Sequence, residues 1–371
     1  MEYMISGYAT PSGTAEFAKR QTNIAKNHFR KFLDLTLSSV GMGTYLGNPD
    51  SDTDNLVKEA IKKTIISGVN VVDTAINYRS QKAERAVGKA IKELVETNIV
   101  KREAIFISTK NGYITNDGDS TEEFWENIQN TLVKPGIIKS GDISSGYHCM
   151  TIPYLQDQLS RSLKNLSLDC IDLMYIHNAA EGQLQDISKE EFLKKLRDVF
   201  QFYEEQRKLG TIRYYGMATW DCFRVTPEHP QYLSLYDIVK IAKEVGGADN
   251  GFRFIQLPYN MYLDQALTQK NQSFEENNYS ILEMSRKLGI GVFTSVPLMQ
   301  AKLLAPHVIP EFGNLPKPSH RAIQFVRSTP GVIAPLVGQK SPEHVNENLA
   351  VMTMPVLDEN EFFDLIKRLS A

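Results

Sequence analysis

A closed (β/α)8 TIM barrel in a single α/β domain is the fold class this sequence predicts, and three observations predict it. Eight short, β-branched apolar runs alternate with longer segments of helical periodicity from about residue 38 onward. The runs are mostly apolar along their length, as parallel strands covered on both faces should be. No composition break or linker interrupts the repeat, so residues 1–371 read as one domain. The same units can build an open doubly wound sheet, but a count of eight favours closure.

The predicted strands are residues 38–45, 70–75, 104–110, 170–177, 212–219, 252–260, 289–297 and 332–338. The predicted helices are 53–67, 81–96, 152–166, 189–209, 233–245, 274–288, 320–328 and 342–351. In the third helix Leu155, Leu159, Leu163 and Leu166 recur at helical spacing and mark its buried stripe. Gly68, Gly210 and Gly289 each follow a periodic segment, where a C-terminal cap belongs.

Three segments fall outside the repeat. Residues 1–35 are polar and are expected to form an arm or hairpin over the barrel's N-terminal end. Residues 111–150 are a long insertion after the third strand, with Trp125 and Tyr147 inside it. Loops of that length at the C-terminal face of a barrel usually form lids or substrate walls. Residues 357–371 read as a last amphipathic helix on the outside.

Composition narrows the function classes. A chain that is 42% hydrophobic and 23% charged, with formal net charge −3, is that of a globular enzyme. Neither nucleic acid nor a membrane is an expected partner. Cys149, Cys170 and Cys222 are scattered and odd in number, which suits reduced thiols better than a disulfide framework or a zinc site. No basic region followed by an apolar run opens the sequence, and no apolar stretch approaches the roughly 20 residues of a membrane helix. A cytoplasmic location is expected. The spacing Gly41-x-Gly43-x-x-x-Gly47 is wrong for a dinucleotide loop, and H-E-x-x-H, Walker A and G-x-S-x-G patterns are absent. The seven histidines are dispersed, so no metal is expected.

Barrel enzymes carry their chemistry where strands run out at the C-terminal face. Those positions here are Asp73, Lys110, His177, Thr219 and Asn260, with Tyr78 in the loop just after Asp73. Asp73, Tyr78, Lys110 and His177 make chemical sense as one unit. Reducing a carbonyl builds negative charge on its oxygen, and something must donate a proton there. A free phenol, with a pKa of about 10, holds its proton too tightly for neutral pH. An ammonium beside it favours the phenolate, and Asp73 is the counter-ion a buried lysine needs. His177 can hydrogen-bond the carbonyl oxygen and fix its direction.

Val71-Val72-Asp73-Thr74-Ala75-Ile76-Asn77-Tyr78, followed by Glu84-Arg85-Ala86-Val87-Gly88, resembles the aldo-keto reductase family. Ile107-Ser108-Thr109-Lys110 and the stretch from Ser162 to His177 fit the same pattern, and the resemblance runs in order over roughly residues 35–350. It implies NAD(P)H-dependent reduction of a small-molecule carbonyl by Asp73, Tyr78, Lys110 and His177.

The resemblance also implies cofactor contacts. Gly43 and Thr44 should line the cofactor at the first strand, and Gln256 matches the glutamine that holds the nicotinamide carboxamide. Ala218 and Thr219 stand where the family has a Ser-Asn pair. Ser295-Val296-Pro297-Leu298 stands where it often has aromatic-Ser-Pro-Leu, so the ring that stacks on nicotinamide is missing; Tyr259 is either its substitute or a core residue. After the eighth strand come Gly338-Gln339-Lys340-Ser341-Pro342, with Ser341 placed as N-cap and Pro342 at the first helical turn. A helix N-terminus favours an anion, and Lys340 adds a full charge beside it. The resemblance makes this the 2′-phosphate pocket, with Glu347 and Asn348 on adenine and His344 where Arg or Gln is common. NADPH is therefore expected over NADH. Two rival readings are a slow-turnover nicotinamide-binding redox sensor or scaffold, and a barrel lyase or isomerase using Lys110 as a Schiff-base amine.

Overall fold

The computed structural model describes residues 4–370. The first three residues of the expected arm, and the last of the expected terminal helix, lie outside the described residues. In chain order the strands are β1 (Phe29–Phe32), β2 (Leu35–Ser38), β3 (Gly41–Gly43), β4 (Val71–Asp73), β5 (Phe106–Asn111) and β6 (Ile171–His177). There follow β7 (Ile212–Ala218), β8 (Phe252–Pro258), β9 (Gln272–Phe274), β10 (Asn277–Tyr279), β11 (Gly291–Ser295) and β12 (Val332–Gly338). Strands β3 to β8, β11 and β12 form a closed eight-stranded barrel, all neighbours parallel, with β12 pairing β3 and β11 pairing β8. Each barrel strand falls on one of the eight predicted runs, with β5 extending one residue past its run to Asn111.

A helix follows every barrel strand. Ile152–Leu166 and Lys189–Leu209 have the predicted bounds. The predicted helix 274–288 is shorter, running only over Ile281–Leu288. Its front half is instead the antiparallel β9–β10 hairpin, turning at Glu275 with φ 54°. The physical reason is a capping box: Ser280 Oγ accepts from the Glu283 backbone N–H, and Glu283 Oε2 accepts from the Ser280 N–H at 2.7 Å. That S-x-x-E pattern fixes the helix start and frees the preceding residues to turn back.

The N-terminal end of the barrel is plugged. The β1–β2 hairpin turns on Leu33 and Asp34, both left-handed, as a two-residue hairpin turn requires. Leu35 and Leu37 join Val71, Phe106, Leu173, Phe254 and Phe293 in an apolar floor inside the barrel. A second anchor is Asp172, whose carboxylate accepts from the Ala9 N–H at 2.5 Å and pairs with Arg102 at 2.6 Å, both inside the protein. The arm is thereby tied to β6, far from the opposite, open end.

Packing near that open end explains the Glu84…Gly88 segment. Helix Lys82–Glu96 crosses helix Ile152–Leu166 so closely that a Cβ on Gly88 would sit 2.4 Å from the Asn165 carbonyl oxygen. Glu84, fully buried one turn earlier, accepts from Thr109 Oγ1 at 2.6 Å and Asn165 Nδ2 at 2.9 Å. Those bonds satisfy the carboxyl group, whose pKa burial nevertheless raises.

Candidate active site

Strand register gathers the polar strand ends at one level. Gly43 is opposite Asp73, Asp73 opposite Ser108, Lys110 opposite Tyr175, and His177 opposite Ala218, which is opposite Gln256. Lys110 Nζ donates to Asp73 Oδ2 at 2.6 Å and to the Thr74 carbonyl oxygen at 2.7 Å. Asp73 Oδ1 in turn accepts from Ser108 Oγ at 2.7 Å and Gln256 Nε2 at 2.9 Å. The buried carboxylate is thus held by three donors.

Tyr78 completes the group from the loop after β4. Its ring lies 4.7 Å from Lys110 Nζ and 5.9 Å, near edge-on, from the His177 ring. The next three residues, Arg79, Ser80 and Gln81, all take left-handed backbone angles, at φ 48°, 52° and 72°. Such a turn is strained for non-glycine residues, costing on the order of 1 kcal/mol each. Arg79 and Lys82 hold it by pairing with Asp54 at 2.6 and 3.0 Å.

The electrostatics are uneven. Burial raises the Tyr78 phenol above its ordinary value, and Lys110 works against that rise. The sequence shows only the lysine beside the phenol; in the fold desolvation outweighs it. Burial also works to lower Lys110, but Asp73 and Tyr78 hold it above its ordinary value, so it stays an ammonium. His177 is driven well below its ordinary value by burial, then by Lys110 and His148, and is neutral.

Three residues that the sequence did not single out also belong here. Tyr113 packs edge-on to His177 at 5.0 Å, and its hydroxyl accepts from Asn178 Nδ2 at 3.1 Å. His148, from the long loop, meets the His177 carbonyl oxygen at 2.8 Å. Ser108 could have been found, because strand alternation points it the same way as Lys110 two residues on. Tyr113 and His148 pair only in an isolated antiparallel bridge of the long loop, where no periodicity aims a side chain.

The remaining strand-end positions divide. Asn260 serves a turn, its Oδ1 accepting from the Tyr262 and Leu263 N–H groups. Thr219 is buried, and its N–H donates to the Gln256 carbonyl oxygen at 2.8 Å. Tyr259 stacks on Phe325 at 5.9 Å and its hydroxyl meets Thr329 Oγ1 at 3.1 Å, so it is a core residue and not a stacking substitute. Ser295 and Leu298 are partly exposed at the barrel mouth, with Pro297 buried between them.

On the far side of the mouth, Thr44 Oγ1 donates to the Asp73 carbonyl oxygen at 3.0 Å, and Gly43 and Gly338 lie side by side in β3 and β12. Ser341 caps helix Pro342–Leu349, its Oγ accepting from the His344 N–H at 3.3 Å. Lys340 reaches over Gly47, where an added Cβ would lie 3.2 Å from its Nζ. Asn348 donates to Gln339 Oε1 at 3.0 Å, while Glu347 pairs with Lys317 at 3.2 Å. His344 is exposed.

Eight parallel strands, with a lysine, carboxylate, phenol and imidazole at the mouth, define a barrel with an acid–base site. Residues 39–311 match the Aldo/keto reductase family, and the chain belongs to it. An aldo-keto reductase of Bombyx mori is 26% identical over 193 residues, 52% of this chain and 49% of that protein. The NADH-specific methylglyoxal reductase of Escherichia coli is 26% identical over 212 residues, 56% of this chain and 55% of that protein. The chain thus spans about half the length of these relatives. An aldo/keto reductase structure from Klebsiella pneumoniae, in complex with NADP and acetate, superposes with TM-score 0.60 at 19% identity, covering 93% of this chain and 95% of that one. That likeness concerns the fold. Among the described residues no helix is long and apolar enough to cross a membrane.

Proposed function

We propose that this chain reduces an aldehyde or ketone to an alcohol, with NADPH as the reductant and Tyr78 as the general acid. One observation carries the reading: the Tyr78 phenol lies against a buried, carboxylate-paired lysine and beside a neutral histidine. Tyr78 keeps its proton until charge gathers on the carbonyl oxygen, then donates it. The phenolate left behind sits next to the Lys110 ammonium, which stabilises it. His177, being neutral, can offer an N–H to the same oxygen without competing as an acid. Tyr113 is the poorer candidate for the acid, because burial raises its pKa with no ammonium among the opposing influences.

The far side of the mouth fits the cofactor. Lys340 directly precedes the Ser341-capped helix N-terminus, is half-buried with its Nζ close to Gly47, and is in no ion pair among the described residues. Lys340 and Ser341 would hold the 2′-phosphate, and Gly43 and Thr44 would line the adjacent groove. NADPH supplies a hydride when bound. The carboxamide position is less complete, since Gln256 already donates to Asp73 and Ala218 offers no side-chain hydrogen bond.

That incomplete half motivates a second reading, a slow nicotinamide-binding sensor or scaffold of the same fold. Lys110 as a Schiff-base amine finds no support, because an ammonium pinned by Asp73 has no lone pair to add to a carbonyl. Following NADPH absorbance against a panel of aldehydes and ketones, with NADH in parallel, separates the readings. Turnover with NADPH supports the reductase; tight NADPH binding without turnover selects the sensor.

A further inference from the structure

His148 lies on the long loop after β5, some thirty positions from His177 in sequence, yet it is fully buried behind it. A carbonyl oxygen only accepts, so the 2.8 Å contact between His148 Nε2 and the His177 oxygen places the imidazole proton on Nε2. Nδ1 is then an acceptor, and Gln183 Nε2 donates to it at 3.1 Å while also donating to the His148 carbonyl oxygen at 3.1 Å. Both ring nitrogens are satisfied in one tautomer, and the neighbouring amide enforces it.

The surrounding backbone leaves room for this ring and little else. A Cβ on Gly112, whose φ is +121°, would sit 2.4 Å from His148 Nε2, and one on Gly182 would sit 2.7 Å from His148 Cβ. The Cys149 N–H donates to the Gly112 carbonyl oxygen at 2.8 Å, which clamps the end of the loop onto the continuation of β5. Tyr113 packs edge-on against both His148 and His177, at 5.4 and 5.0 Å.

We propose that His148 is a positioning residue for His177: from the long loop it fixes the His177 backbone, and so the aim of the imidazole that faces the carbonyl oxygen. The catalytic meaning of this brace rests on the reductase reading above; the brace itself does not. The long loop thereby also sets the geometry of the acid–base group, because its anchor is the histidine that holds His177.

Two measurements test it. Histidine-selective 15N spectra of the protein without cofactor should show His148 protonated on Nε2, and His148→Leu should shift or broaden the His177 ring signals. An unchanged His177 ring in that variant overturns the proposal, whether or not the protein turns over a carbonyl. In the enzyme, His148→Leu should lower kcat/KM on the order of tenfold with NADPH affinity unchanged, and His148→Gln, which can return a donor at the Nε2 position, should recover most of it. The loss should vanish when His177→Gln is already present, since the brace acts only through that residue. Multiplicative losses would overturn it. Should His148→Leu fail to fold, Gln183→Leu keeps the ring and removes its tautomer lock; a smaller loss, again absent beside His177→Gln, is expected, and a loss independent of His177 overturns the brace. Absent turnover in the unmodified protein alongside the expected spectra would reject the reductase reading and leave the brace standing.

Discussion

Lys110 Nζ lies 2.6 Å from Asp73 Oδ2, with both side chains sealed from water. A buried pair stripped of one partner leaves an uncompensated charge, at a typical cost of about 3–5 kcal/mol. Asp73→Asn should lose roughly that much stability in urea unfolding, together with carbonyl reduction. The double variant Asp73→Asn with Lys110→Met removes the stranded charge. It should regain much of the stability while activity stays lost. A stable, inactive double variant separates the chemical role of the pair from its structural one; equal instability in both variants would say the pair is structural alone.

Acid should unfold the protein partly through buried histidines. Burial lowers His148 to about 4 and His28 to about 3, from an ordinary value of 6.5. The unfolded chain therefore binds protons at these positions at higher pH than the folded one. The stability they contribute is complete above about pH 6.5 and declines as pH falls toward 4, by up to about 1.4 kcal/mol per unit for each histidine. Melting temperatures measured between those limits should fall, and His148→Gln should flatten the slope. An unchanged slope would mean that His148 is already protonated in the fold.

Much of this was legible in the sequence, and the parts that were not have identifiable causes. All eight barrel strands stand out because buried parallel strands are apolar throughout, and Asp73, Lys110 and His177 stand out as polar residues ending such runs. The β9–β10 hairpin is hidden because Phe274 and Ile281 fall in helical phase; the Ser280–Glu283 capping box is the better signal. His148 and Tyr113 depend on where an irregular loop returns, which no local pattern dictates. At Tyr78 the lysine lowers the phenol as its sequence position implies, and a second influence, desolvation, opposes it. Sequence reveals a neighbouring charge, but burial of the ring is a property of the assembled mouth.

Lys340 should discriminate between the two nicotinamide cofactors. It directly precedes a capped helix N-terminus and is in no ion pair among the described residues, and a phosphate there would gain a charge-assisted bond. Lys340→Met should weaken NADPH binding on the order of tenfold in a fluorescence titration and leave NADH nearly unaffected. Equal weakening of both would move the phosphate pocket elsewhere.

The proposed reduction depends on a proton from Tyr78. Tyr78→Phe removes one hydroxyl and keeps the ring that packs on Lys110 and His177. Single-turnover oxidation of bound NADPH by an aldehyde substrate should slow by about 10²- to 10⁴-fold in this variant, with cofactor affinity unchanged. A variant that binds NADPH normally and keeps most of the single-turnover rate would contradict the assignment of Tyr78 as the acid.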